Sequence, residues 1–149
     1  MRVNMELDGI IEKAPKGKYW VIEIAALELM TQGTSRKNAF SMIQDAVLEL
    51  IESYFGKTVR KALKLSIYEH GNEGFGLSSN NNKILLSLAL RRQREISGLT
   101  IREAALNLGS KSPNSYSQYE KGKINISLDK YELLLSAANP QTTCSLRLG

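Results

Sequence analysis

The sequence predicts an α+β chain: an N-terminal antiparallel sheet with one long helix, followed by an all-helical C-terminal region. Three observations predict it. Apolar residues alternate with period two in the first quarter of the chain, the mark of half-buried strands. They then recur every three or four residues over about twenty positions, the mark of an amphipathic helix. Beyond residue 82 the strand pattern stops, and only short helical segments with clear start and stop signals remain.

The first strand is read from Val3, Met5, Leu7 and Ile11, which alternate with Asn4, Glu6, Asp8 and Glu12. Ala14-Pro15-Lys16-Gly17 is a turn signal. A second strand, about Lys18 to Ala25, puts Trp20, Ile22 and Ile24 on one face, and the short spacing makes the two an antiparallel hairpin. A third short strand is expected at Leu29 to Gln32, ending at Gly33. Ser35 has the hydroxyl that a helix N-cap needs. The long helix then runs to Phe55, with Ala39, Phe40, Ile43, Ala46, Val47, Leu50, Ile51 and Tyr54 as its apolar stripe and Gly56 as its stop. Leu63, Leu65 and Ile67 alternate with polar neighbours and predict a last strand, about Ala62 to Tyr68. Glu69 to Asn82 holds three Gly, two Ser and four Asn, and reads as a linker with room for a short strand at Phe75–Leu77. The expected organisation is a domain over 1–68, a linker over 69–82, a helical domain over 83–139 and a tail over 140–149, with the boundary near Ser79.

Bulk properties narrow the function classes. The hydrophobic fraction of 42% suits a folded chain, and no apolar run approaches the ~20 residues a membrane span needs. The start MRVNMELDGI lacks the basic-then-apolar order of a secretion signal. The single Cys144 makes no internal disulfide and no cysteine-based metal site, so a cytoplasmic location is expected. Residues 1–79 hold ten basic and ten acidic side chains, whereas residues 80–149 hold ten and five and so carry the whole net charge of +5. A polyanion partner would meet that second half, although a solvated basic surface shows the same count.

The second half begins with a helix at Lys83 to Ser97, closed by Gly98. Thr100 and Glu103 form a capping box for a second helix, Ile101 to Leu108, ended by Gly109. Ser112 and Pro113 start a third helix that ends at Glu120, and a fourth spans Leu128 to Ala138 before Asn139-Pro140. Ala105 is small enough for the next helix to cross, and Gly109 allows a sharp reversal. In the third helix Tyr116 and Tyr119 face inward, while Asn114, Ser115, Ser117 and Gln118 stay outside. Such neutral hydrogen-bonding chains suit base edges, since amides pair with adenine in the major groove. Thr100, Arg102, Lys111, Ser112, Lys121 and Lys123 are placed to meet phosphates. The same two helices could also serve only as a scaffold or a dimerisation element.

LTIREAALNLGSKSPNSYSQYEKGK resembles the Cro/phage-repressor (XRE) type of helix-turn-helix over about 55 residues. The resemblance implies that Arg94 pairs with Glu120, and that Pro113, Asn114 and Gln118 occupy base-reading positions. Pro113 departs from the family there, having no side-chain donor. It also implies a repressor that binds operator DNA as a dimer or larger even oligomer.

The first half has its own resemblance. Asp8-Gly9, Thr31-Gln32-Gly33, Ser35 and Ala39 occur in the order found in HicB antitoxins, over about residues 5–68. Ala25-Ala26 and Asn38 depart from that family's usual proline and glutamate. The resemblance implies a partial, degenerate RNase H-like domain that binds and blocks a HicA-like, RNA-cleaving toxin, in a protein that represses its own operon. Trp20, Leu27, Leu29, Thr31 and Gln32 are its candidate toxin contacts. No enzyme, metal or cofactor is expected. Glu6, Asp8, Glu12, Asp45 and Glu49 are read as a solvated polar surface rather than a two-metal nuclease site, and His70 as a surface histidine. Two other readings stay open: a stand-alone regulator whose first domain senses a small molecule or dimerises, and a metal-dependent ribonuclease guided by the helical domain.

Overall fold

The computed structural model describes residues 5–141. Val3 and Asn4 of the expected first strand, Cys144 and most of the expected tail lie outside these. The chain divides into two compact units, with the division between Asn81 and Asn82.

The first unit is a five-stranded antiparallel sheet with helices. Its strands are β1 (Leu7–Lys13), β2 (Trp20–Ile24), β3 (Leu29–Gly33), β4 (Leu65–His70) and β5 (Gly74–Ser79), in the spatial order β3-β2-β1-β5-β4. The first hairpin forms as its alternation predicts, with Ile11 opposite Ile22. Helix α1 (Arg36–Phe55) packs on β3, β2 and β1. Its stripe buries Ala39, Ile43, Val47 and Ile51 completely, and Phe40 meets Phe75 of β5 edge-on at 5.4 Å. Ser35 caps α1 by accepting from the Asn38 amide at 3.0 Å. The close approach of β3 and α1 requires Gly33, because a Cβ there would stand 2.3 Å from the backbone nitrogen of Ala39.

Three expectations need correction, and one helix was not expected. Residues 69–82 are not a linker: β4 continues to His70, and β5 is an interior strand bonded to both β1 and β4. A six-residue helix, α2 (Lys57–Ala62), precedes β4, tied to α1 by an Arg60–Glu52 ion pair. Too short to show an apolar period, it leaves no sequence signal. Glu6 is not on a solvated face. Its side chain is 3% exposed, lies over Gly76, and pairs with His70 Nε2 at 3.1 Å. Leu27 ends a 3-10 turn (Ala25–Leu27) and is wholly buried, so it fills the core rather than facing a partner.

The second unit is all-helical: α3 (Asn82–Ser97), α4 (Ile101–Asn107), α5 (Pro113–Glu120) and α6 (Leu128–Ala138). Each end falls within a residue or so of its expected place. Leu90, Ala104, Ala105, Tyr116, Leu134, Leu135 and Ala138 form its core, with Ile101, Leu108, Tyr119, Ile126 and Tyr131 at the margin. Side-chain bonds to backbone tie the helices crosswise: Ser97 Oγ donates to the Ala138 carbonyl at 2.6 Å and Asn107 Nδ2 to that of Ala137 at 3.0 Å.

Candidate nucleic-acid interface

The geometry of the second unit starts at the α4–α5 turn. Thr100 caps α4 by accepting from the Glu103 amide, and the Glu103 carboxylate accepts from the Thr100 amide, both at 3.1 Å. At the other end Gly109 takes φ +83. Its amide donates to the Leu106 carbonyl, and the next amide, Ser110, reaches back to Ala105. This paired closure satisfies carbonyls that the helix end leaves open. The left-handed residue turns the chain so that α5 crosses α4 over Ala104 and Ala105, whose small side chains are buried there.

Helix α5 is fixed from below by one charge pair. Arg94, near the end of α3, donates from Nε to Glu120 Oε2 at 2.7 Å and from Nη2 to Oε1 at 3.0 Å. Its third nitrogen donates to the Leu99 carbonyl at 2.9 Å. The two side chains are 12% and 5% exposed. This fork holds the C-terminal end of α5 against α3 in the pairing expected from sequence. The hydrogen bonds that Arg94 donates to Glu120 outweigh burial and raise the Arg94 pKa above its ordinary value. Tyr116 is wholly buried nearby, and its hydroxyl has no hydrogen-bond partner among the described residues. Burial pushes its pKa far above the usual phenol range, and the Glu120 charge adds to that. Ser87 of α3 donates to the Tyr119 carbonyl at 2.6 Å, a second tie between the same helices.

With Tyr116 and Glu120 turned inward, the outer strip of α5 carries Asn114, Ser117 and Gln118. Asn114 and Ser115 are exposed, and Ser117 and Gln118 half-buried. Ser115 differs from the others, because its hydroxyl is 2.7 Å from that of Ser110, which in turn donates to the Ser112 carbonyl. Ser110 had no sequence signal for this role, since the link depends on how the turn folds. Ser112 accepts from the Asn114 amide, and both it and Thr100 keep a hydroxyl proton free to donate to a phosphate. Arg102, Lys111, Lys121 and Lys123 are all exposed, the first on α4 and the others just outside the two ends of α5.

The candidates in the first unit are only partly brought together. The strand register places Trp20, Leu29 and Thr31 on the α1 side of the sheet and Gln32 on the opposite face. Arg36 lies over the Trp20 ring at 5.7 Å. The opposite face instead shows Met30, which is 66% exposed, in register with Glu23 and Ile10. Among the described residues no three His, Cys, Asp or Glu side chains converge as a metal set. No described helix is long and apolar enough to cross a membrane.

Comparison with curated proteins and with solved structures gives no match. Comparison with protein families gives one over residues 90–139, from mid-α3 to the end of α6, to the family described as helix-turn-helix. The second unit, with its buried Arg94–Glu120 fork and outward-facing α5, is a helix-turn-helix DNA-binding domain of the Cro/phage-repressor type.

Proposed function

We propose that this transcriptional regulator is the antitoxin of a HicA/HicB-type pair, acting in the cytoplasm. Its second unit binds the operator of its own operon as a dimer or tetramer. Its first unit, the degenerate RNase H-like part in this reading, occupies a small RNA-cleaving toxin and has no catalysis of its own. The DNA half rests on one observation: α5 is clamped by Arg94–Glu120 so that its neutral amides face outward between exposed lysines. Asn114, Ser117 and Gln118 then meet base edges. Ser115 sits at the same surface with its hydroxyl held by Ser110. Thr100, Arg102, Lys111, Ser112, Lys121 and Lys123 meet phosphates. The toxin half is supported by the order of Thr31-Gln32-Gly33, the Ser35 cap and α1 in the first unit.

The test is co-expression of the full chain with whatever short protein the adjacent reading frame encodes. The two should copurify, and RNA cleavage by the short protein should stop. Free cleavage in the presence of excess regulator would leave only the DNA-binding half standing. A second reading, in which the first unit senses a small molecule, would use the shallow, open depression beside Trp20, Arg36, Glu12 and Glu69. A rise in thermal midpoint with a metabolite extract, abolished by Trp20→Ala, would select that reading.

A further inference from the structure

The outward side chains of α5 differ in what they still have to offer. The Ser115 hydroxyl is engaged by Ser110. The amides of Asn114 and Gln118 make no side-chain hydrogen bond within the described residues, and they stand four positions apart on one face. An amide presents one donor beside one acceptor. That is the complement of adenine's N7 and N6 and not of guanine, which shows two acceptors. Guanine is matched by a two-donor cation, and Pro113–Glu120 contains no Arg or Lys. Cytosine is matched by a carboxylate. The helix has one, Glu120, and it is buried in the Arg94 fork. Pro113 offers an exposed apolar ring at the helix start, suited to a thymine methyl group.

Resting on the DNA-binding reading above, we infer that α5 reads adenine, and that the centre of each half-site is a short A·T core. Neither base of a G·C pair has a bidentate, discriminating reader on the helix. Ser117, lying between the amides, donates or accepts and so discriminates little. Four residues of helix advance about 6 Å, against about 3.4 Å per base-pair step. The two amides therefore address base pairs one or two steps apart.

The experiment selects binding sites for the full chain from a random duplex library, then measures affinities by fluorescence anisotropy at fixed salt. The expected half-site centres on two or three A·T pairs. Replacing a read adenine by guanine should weaken binding about 5- to 150-fold, and 7-deazaadenine, which lacks N7, should weaken it at the same position. Asn114→Ala and Gln118→Ala should each erase preference at one position, with circular dichroism unchanged. Gln118→Arg should convert its position from adenine to guanine. A selected core of G·C pairs, or preferences untouched by these variants, overturns the inference and leaves DNA binding in place. Equal binding to every sequence overturns it likewise. Absence of any DNA binding overturns both the inference and the reading beneath it.

Discussion

Removing the Glu120 carboxylate isolates a charge that the fold has already taken out of water. In Glu120→Ala the Arg94 guanidinium, 12% exposed, keeps only its bond to the Leu99 carbonyl. Breaking one side of a buried ion pair typically costs about 3–5 kcal/mol. The remaining bond and the partial exposure of Arg94 argue for the low end, about 3 kcal/mol. A helical unit of this size has only about 3–5 kcal/mol in hand, so the variant should sit near its unfolding midpoint. Glu120→Gln keeps one acceptor and should lose about 1.5–2 kcal/mol, in line with exchanging a charged hydrogen bond for a neutral one. Replacing both partners by apolar residues, as in Arg94→Met with Glu120→Leu, should recover most of the loss, because no unpaired charge is left behind.

Urea unfolding of the full chain measures this, read by far-ultraviolet circular dichroism. Trp20, the one tryptophan, lies in the first unit, so its fluorescence follows that unit separately. The helical transition should move and the tryptophan transition should not. A loss below about 0.5 kcal/mol for Glu120→Ala, the range of an ordinary surface change, would refute the reasoning. So would single-variant losses that simply add in the double variant.

The buried phenol of Tyr116 has no hydrogen-bond partner among the described residues, so Tyr116→Phe should be neutral or stabilising at pH 7. Because its folded pKa is raised, the native state holds a proton that the unfolded chain loses above about pH 10. Stability is therefore complete below that pH and falls as pH rises, by up to ~1.4 kcal/mol per unit, and alkaline melting curves of the Phe variant should lack this part of the fall. Gly33→Ala places a methyl against the Ala39 backbone, which cannot step aside as a side chain would. A cost of about 1–3 kcal/mol should appear in the tryptophan-detected transition alone. Lys121→Ala with Lys123→Ala should lower the slope of log affinity against log salt by about 1.8, two phosphates' worth, without changing which sequence is preferred.

The helical unit was legible because its signals are local. Thr100 and Glu103, Gly109 and Ser110, and Ser112 and Asn114 lie within a few residues of the groups they satisfy. The Arg94–Glu120 pair spans 26 residues and was reached only through family resemblance. The Ser110–Ser115 link escaped because two serines five apart carry no signal until a turn brings them together.

The sheet obeys the other rule. Its determinants lie far apart in sequence, and the residues that permit them look like loop residues. Gly-Phe-Gly-Leu-Ser-Ser has poor strand composition, yet it forms the strand between β1 and β4. Glu6 occupies the space above Gly76, which a side chain there would fill, and the Phe75 ring lies against Gly9 in the same way. The composition that read as a linker is thus what lets an interior strand accommodate its neighbours. The same non-locality governs the first unit's surface. Met30, Glu23 and Ile10 become one row only through register across three strands. The candidates read along the chain, Trp20, Leu27, Leu29, Thr31 and Gln32, scatter over the core and two faces, whereas the candidate base-reading residues of α5, confined to one helix, stay together.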